Sequence, residues 1–394
     1  KGVLVTNGIG ASTSEVGPII PAERRISVAH PDLSGNELKY VTECIETEWI
    51  SSQGRFVTEF EDAFREWTGA RFALACSSGT TALHLALAGL GIGPGDEVIV
   101  PSMTYVASGN AVAYVGARPV LVDSDPISLN VTPDIVAKAV TDRTRAVIPV
   151  DLFGMPADVA GLRAVIPDDV YIVEDAAEAL GARMDGVHVG AAADVATFSF
   201  FGNKTLTTGE GGMVTCSDRD LADRMRLLRG QGQDPQRTYY HPVMGFNYRL
   251  TNMQAAVGLA QLERVESHLA ARRRVVARYE SQLDHLKTGL HIPSVPEGVE
   301  HGNWMFTITL RDSDSATRDE IRRLMAIDGI ETRPGFTPLH RLPMYASSDP
   351  FPAADWISDC GICLPTHARL SDGDVDVVVR SLVSALSQTG IRTG

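Results

Sequence analysis

The strongest constraint on this chain is the alternation of short β-branched runs with longer helical patterns from Phe72 to Asp175. Strand-like runs cover Phe72–Cys76, Glu97–Pro101, Arg118–Asp123, Ala146–Val150 and Val170–Asp175. Between them lie helical patterns over Thr80–Leu90 and Tyr105–Tyr114, another beginning near Pro133, and one near Asp158–Val165. Parallel neighbours need a crossover, and helices that alternate with apolar strands supply it. The expected fold class is therefore α/β, with a mostly parallel central sheet covered by helices. Ligands of such sheets sit at the carboxyl ends of the strands, so the residues following each strand are the first functional candidates.

The rhythm changes after residue 195. Val195–Phe201 and Gly212–Cys216 both read as strands, and the short polar gap between them predicts local antiparallel pairing. Helical periodicity follows over Asn252–Tyr279. A strand at Phe306–Leu310 and helices at Arg318–Ala326 and Asp372–Leu386 predict a smaller α+β unit. A chain of 394 residues is too long for one ordinary core. The expected division is an N-terminal arm at 1–25, a large ligand-binding domain at 26–250, and a helical connection with a small C-terminal domain at 251–394.

Composition narrows the partners. Acidic side chains outnumber basic ones by 49 to 35, a formal net charge of -14, which argues against a nucleic-acid surface built on clustered Lys and Arg. An anionic small substrate is compatible with this balance, because a few local donors suffice to make a positive cavity. The five cysteines do not form a disulfide framework, and Cys360-x-x-Cys363 lacks the second pair that a structural zinc requires, so packed thiols and no metal are expected. No run approaches the ~20 apolar residues of a membrane span, and a cytoplasmic protein is expected.

Three motifs fail on spacing. Gly89-Leu-Gly91-Ile-Gly93 misses G-x-G-x-x-G and follows a helix rather than a strand. Asn203-Lys204-Thr205 lacks the glycine that precedes a P-loop lysine, and Ser77-Ser78 lacks the G-x-S-x-G elbow of a hydrolase.

Four segments at strand ends carry the chemistry. Ser77-Ser78-Gly79-Thr80-Thr81 leaves the strand Phe72–Cys76 and opens a helix whose free N–H groups and positive dipole suit a phosphate, although an ordinary N-cap has the same composition. Asp175 closes the apolar run VYIVED, with Glu178 three residues on. A buried carboxylate there needs a cationic partner, such as a pyridinium N–H, although an N-cap aspartate is the plainer alternative. Lys204 follows the apolar strand that ends in Ser199-Phe-Phe and lies 29 residues beyond Asp175. Most loop lysines are solvated, but one held against apolar walls keeps a neutral, nucleophilic amine. Tyr105, just after the strand Glu97–Pro101, fits core packing or stacking on a planar ring.

Taken together, SSGTTALHLAL, VEDAAEALGA, TFSFFGNKTLTTGEGG and GFNYRLTNMQAA resemble, in matching order from about Ile26 to the C-terminus, the DegT/DnrJ/EryC1/StrS family of sugar aminotransferases. The resemblance implies the type I pyridoxal-5'-phosphate (PLP)-dependent transferase fold, like that of aspartate aminotransferase. It implies PLP as cofactor, carried by Lys204, with Asp175 on the pyridine nitrogen and Tyr105 on the ring. Gly79, Thr80, Thr81 and Ser199 would hold the phosphate. Asn247 would reach it from a neighbouring subunit, which implies a homodimer with shared active sites. Glu178 stands where several relatives carry His or Gln near the ring.

FSFFGNK, RGQG and EDAAE are most similar to members that aminate a GDP-linked 4-keto-6-deoxymannose, with L-glutamate the implied donor. A dTDP-linked 3- or 4-keto sugar, a cyclitol ketone and a non-catalytic PLP-binding regulator are the alternatives. Relatives that dehydrate sugars resemble this sequence with His in place of the lysine, and Lys204 speaks against that branch. Arg249 and His340 are the candidate substrate residues.

Overall fold

The computed structural model describes residues 25–391, and the N-terminal arm expected at 1–25 lies almost entirely outside them. Two amphipathic helices come first, α1 (Glu37–Glu46) and α2 (Arg55–Thr68). The α/β alternation then runs β1 (Phe72–Cys76), α3 (Gly79–Leu90), β2 (Glu97–Pro101), α4 (Val106–Tyr114), β3 (Arg118–Val122), α5 (Pro133–Ala137), β4 (Thr144–Val147), α6 (Val159–Val165) and β5 (Tyr171–Asp175). A small hairpin, β6 (Arg183–Met184) and β7 (Val187–His188), precedes β8 (Val195–Ser199), β9 (Gly212–Cys216), α7 (Arg219–Arg229) and α8 (Asn252–Leu262). The C-terminal part comprises α9 (Val265–Leu283), β10 (Leu290–His291), β11 (Val299–Glu300), β12 (Phe306–Leu310), α10 (Ser315–Ile327), β13 (Arg333–Pro334), α11 (Pro352–Cys360), β14 (Gly361–Leu364) and α12 (Asp372–Gln388).

The large sheet has seven strands in the order β1-β9-β8-β5-β4-β2-β3. The β2–β3, β2–β4, β4–β5 and β5–β8 pairs are parallel, while β9 runs antiparallel to both its neighbours. The expected antiparallel β8–β9 pairing is present. The insertion of β9 between β8 and β1 was not legible from the short gap alone. One further difference concerns β4, which starts earlier than expected and ends at Val147. The chain beyond it continues as a single bridge from Val150 to Asp175. The helical pattern over Asn252–Tyr279 is two helices rather than one, divided at Glu263–Arg264.

Sequence explains the packing. In α2, Phe56, Phe60 and Phe64 recur every fourth residue on one face and bury it against the sheet and α8. The opposite side of the sheet is covered by α3, which is apolar almost all round and correspondingly buried. A separate four-stranded antiparallel sheet, β10-β12-β14-β13, forms the smaller core with α9, α10 and α12. The five cysteines are buried free thiols. No helix among the described residues is long and apolar enough to cross a membrane.

Candidate active site

The carboxyl ends of β1, β2, β5 and β8 converge on one cleft of ≈ 480 Å³, closed on its far side by residues of the small-sheet segment. Its walls include Ser78, Gly79, Thr80, Tyr105, Asp175, Glu178, Ser199 and Lys204, all from strand ends in the large sheet. Eight of the eleven site residues expected from sequence are therefore within this neighbourhood, counting Thr81 just behind the wall.

At one end of the cleft α3 begins. Ser78 caps it through a reciprocal box, its hydroxyl accepting from Thr81 N–H at 3.1 Å and its own N–H donating to Thr81 Oγ1 at 3.0 Å. That leaves the N–H groups of Gly79 and Thr80, the first two helical residues, without intrahelical partners at the cleft wall. The floor beneath them is tight. A Cβ on Gly79 would lie 2.9 Å from Ser199 Cβ, and one on Gly212 would lie 2.5 Å from Ser78 O. Two free amides, a helix dipole and the Ser199 hydroxyl on the same wall make an anion cradle, and it fits a phosphate. The hydroxyl of Thr81 is spent on the cap, also contacting Ser77 Oγ at 3.2 Å.

At the other end stands Asp175. Strand alternation sends the two acids of VYIVED to opposite faces. Glu174 turns away from the cleft and accepts from Gly190 N–H at 2.7 Å, while Asp175 lines the cleft. Asp175 accepts from the Ser108 hydroxyl at 2.7 Å and from Ala177 N–H at 3.3 Å. Burial pushes its carboxyl above the usual range, against the pull of these donors and of Lys204. No arginine or lysine pairs with it within salt-bridge distance among the described residues. A carboxylate so buried wants a cation, and a pyridinium N–H meets that need.

Lys204 sits between, its side chain 13% exposed. Its Nζ lies 3.6 Å from Glu178 Oε1 and 3.8 Å from the centre of the Trp304 ring. Burial lowers its pKa, only partly opposed by Glu178 and Asp175. Glu178 is pushed up to about 7 by the same burial, and its other oxygen accepts from Phe153 N–H at 2.8 Å. Phe153 holds that N–H in place with φ at 57°, a left-handed conformation rare for an aromatic residue.

Tyr105 projects from the N-cap of α4 with its ring largely exposed to the cleft, edge-on to Phe336 at 5.8 Å between centroids. The remaining three expected residues are elsewhere. His340 is buried outside the cleft walls, held by Ser102 Oγ at 2.7 Å and Asp355 Oδ1 at 3.1 Å. Arg249 pairs by its backbone with Cys76, and Asn247 with Gly230. Neither lines the cleft, and Asn247 is exposed at the surface.

Among the cleft residues that escaped the sequence reading, three come from the small-sheet segment: Trp304, Arg333 and Phe336. Trp304 donates its indole N–H to Asn203 O at 3.0 Å, and so ties the small-sheet segment to the lysine loop. Its place is fixed by Arg272, whose buried Nη1 reaches the carbonyls of Asn303, Trp304 and Thr366 at 2.8–3.2 Å. Arg333 brings a positive charge close enough to Lys204 to depress it further, with no ion pair of its own among the described residues. The only local signal for it was an arginine locked before a proline and glycine in ETRPGF.

An anion cradle, a buried carboxylate and a lysine whose basicity burial lowers, all on one cleft of an α/β sheet, suit a PLP-dependent enzyme. The chain belongs to the DegT/DnrJ/EryC1/StrS aminotransferase family, whose model matches residues 31–383. It is a PLP-dependent aminotransferase. It is 52% identical over 92% of its length to the GDP-perosamine synthase of Caulobacter vibrioides, covering 98% of that protein. It is 41% identical over 91% of its length to the GDP-perosamine synthase of Escherichia coli O157:H7, covering 97% of it. Among solved structures, the PLP form of Spr1654 from Streptococcus pneumoniae superposes with a TM-score of 0.88 at 29% identity, covering 93% of this chain and 99% of that one.

Proposed function

We propose that this enzyme transfers the amine of L-glutamate to the keto carbon of a GDP-linked 4-keto-6-deoxyhexose of the mannose type. The observation that carries the proposal is the single cleft in which Lys204, Asp175 and the start of α3 face one another. The sugar nucleotide is inferred from the relatives named GDP-perosamine synthase, which match the chain almost end to end.

The residues divide the work by position. Bound PLP supplies an electron sink for the charge left when a C–H bond next to nitrogen is broken. The Gly79 and Thr80 amides and the Ser199 hydroxyl would hold its phosphate, Tyr105 would cover its ring, and Asp175 would keep its ring nitrogen protonated. Lys204 Nζ would anchor the cofactor and would serve as the base that takes up the donor's α-proton. Burial lowers its basicity, which eases loss of the proton it must give up to act as a base. Glu178 holds a proton beside Nζ and exchanges it as the lysine changes state. Arg333, at the cleft wall, meets an anionic group of the substrates.

The second subunit is inferred from the family resemblance, and the position of Asn247 supports it. It is exposed beside a segment carrying exposed Tyr239 and Met244, and a homodimer would turn this surface toward a neighbour's cradle. The test is direct. Purified protein reconstituted with PLP is given L-glutamate and a panel of GDP- and dTDP-linked 3- and 4-keto sugars and a cyclitol ketone, and 2-oxoglutarate is measured. Turnover confined to the GDP-linked 4-keto sugar supports the proposal, while preference for a dTDP-linked sugar or a cyclitol ketone would overturn the substrate assignment.

A further inference from the structure

Asp175 is the one cleft carboxylate that a hydroxyl, rather than an amide or a cation, contacts most closely. Ser108 and Thr104 lie four residues apart around the start of α4, on the same side as each other. Both are completely or almost completely buried. Ser108 Oγ is 2.7 Å from Asp175 Oδ2 and 2.9 Å from Thr104 Oγ1. A serine has one hydroxyl proton, and an ionised carboxylate only accepts. The Ser108 proton is therefore directed at Asp175, since its alternative acceptor, Tyr105 O, is 3.4 Å away. Thr104 must then donate to Ser108, so the two hydroxyls point in series at the carboxylate.

We infer that Thr104 and Ser108 form a directed hydroxyl relay that positions Asp175 and keeps it ionised, so that the proton it shares with the cofactor ring stays on the ring nitrogen. The inference rests on the assignment of Asp175 to that nitrogen. Ser108 and Thr104 are positioning residues, acting through Asp175. Lys204, from the loop after β8, is the charged group that favours the ionised form of Asp175, against the burial that disfavours it; Asp151 and Glu178 nearby are themselves pushed up by burial and by the charge of Asp175. Burial is set against the ionised form, and the Ser108 hydroxyl leads the groups that favour it, ahead of the Ala177 amide and Lys204. A purely structural alternative exists, because a serine in the first turn of a helix also bonds back to the preceding carbonyl.

The two readings separate spectroscopically. The nitrogen NMR resonance of ring-labelled PLP bound to the enzyme reports whether the ring nitrogen carries the proton. Ser108→Ala is expected to move that resonance toward the unprotonated pyridine value and to weaken retention of PLP about tenfold, the worth of one hydrogen bond to a charged group. Ser108→Thr, which keeps a hydroxyl, is expected to restore both, and Thr104→Val to give a smaller shift in the same direction. Thr104→Val also serves where Ser108→Ala fails to fold. A wild-type resonance in a folded Ser108→Ala or Thr104→Val enzyme would overturn the relay, given that Asp175→Asn shifts it. A wild-type resonance in Asp175→Asn would overturn the relay and the Asp175 assignment together.

Discussion

The phosphate cradle can be tested by a substitution that touches neither cofactor nor substrate. Gly212 begins β9, in register with Cys76 on one side and Ser199 on the other, directly beneath the start of α3. A methyl group there would sit 2.5 Å from Ser78 O, 2.6 Å from Ser78 C and 2.8 Å from Gly79 N. These are backbone atoms, so no side chain can rotate away. Restoring ordinary contact requires the helix start to lift by about 0.9 Å. Overpacking of this kind costs ~1–3 kcal/mol, which a domain with ~5–15 kcal/mol in hand survives. The displaced amides of Gly79 and Thr80 are the ones assigned to the phosphate. Weakening two charge-assisted hydrogen bonds of ~1.5–3 kcal/mol each predicts a rise in the PLP dissociation constant of about 10- to 100-fold. The assay is titration of apoprotein with PLP by absorbance, alongside thermal melting. Gly69→Ala is the control. At φ 78°, in open space after α2, it adds backbone strain far from the cleft. Its melting point should fall while PLP affinity holds. A folded Gly212→Ala enzyme that binds PLP as tightly as wild type would refute the placement of the phosphate at α3.

Three further outcomes are expected. Arg333→Gln should raise KM for one anionic substrate by about tenfold or more with a smaller change in kcat, because an unpaired cleft arginine contributes mainly to binding; unchanged KM for both substrates would remove it from the site. Arg272→Met should cost ~3–5 kcal/mol in denaturant unfolding, since three buried carbonyls lose their donor, and should slow turnover by loosening Trp304 over Lys204. Stability should fall gradually from pH 6.5 to 4.5, and more steeply below that. His188, His301 and His367 are held down to about 4 by burial, so the stability they confer above 6.5 is lost as pH falls toward 4. Glu174 and Glu178, raised to about 7, take up protons in the native state between 7 and 4.5 and offset that loss. Below 4.5 the offset ends, and Glu97, held down to about 2 by Thr141, Arg118 and Arg143, begins to lose its contribution. Melting points that drop most between pH 6.5 and 5.5 would contradict this account.

What was legible in the sequence follows from range. Asp175, Lys204, Tyr105 and the Ser78–Thr80 turn all sit at the ends of strands whose apolar runs announce them, so position and chemistry coincide within a few residues. The choice between Glu174 and Asp175 was equally local, set by strand alternation. Trp304, Arg333 and Phe336 reach the same cleft from a different sheet, and no periodicity in their own segments indicates which way that sheet faces. Thr81 shows a subtler limit. Its place in the motif was legible, but competition between capping the helix and meeting a ligand is decided by hydroxyl geometry, and the cap takes it. His340 shows the reverse. It was a candidate substrate residue, whereas folding brings Ser102 and Asp355 to its two ring nitrogens.

Net charge was the least informative quantity, and the cleft explains why. A protein of formal charge -14 binds an anionic cofactor by sorting charge over a short distance rather than by carrying a positive surface. The phosphate end holds no lysine or arginine on its wall at all; its attraction comes from helix amides that cannot be titrated away. The ring end collects carboxylates, where a pyridinium needs them. Lys204 and Arg333 are the basic residues on the cleft wall, and the lysine's charge is the one that burial suppresses. Phosphate affinity should therefore depend only weakly on ionic strength compared with a site built on lysines, because dipoles and desolvated contacts are poorly screened. Measured by PLP titration, a tenfold increase in salt should change the dissociation constant by less than about threefold. A steeper dependence would mean that Arg333 or a neighbouring subunit's cations, rather than the start of α3, supply the attraction.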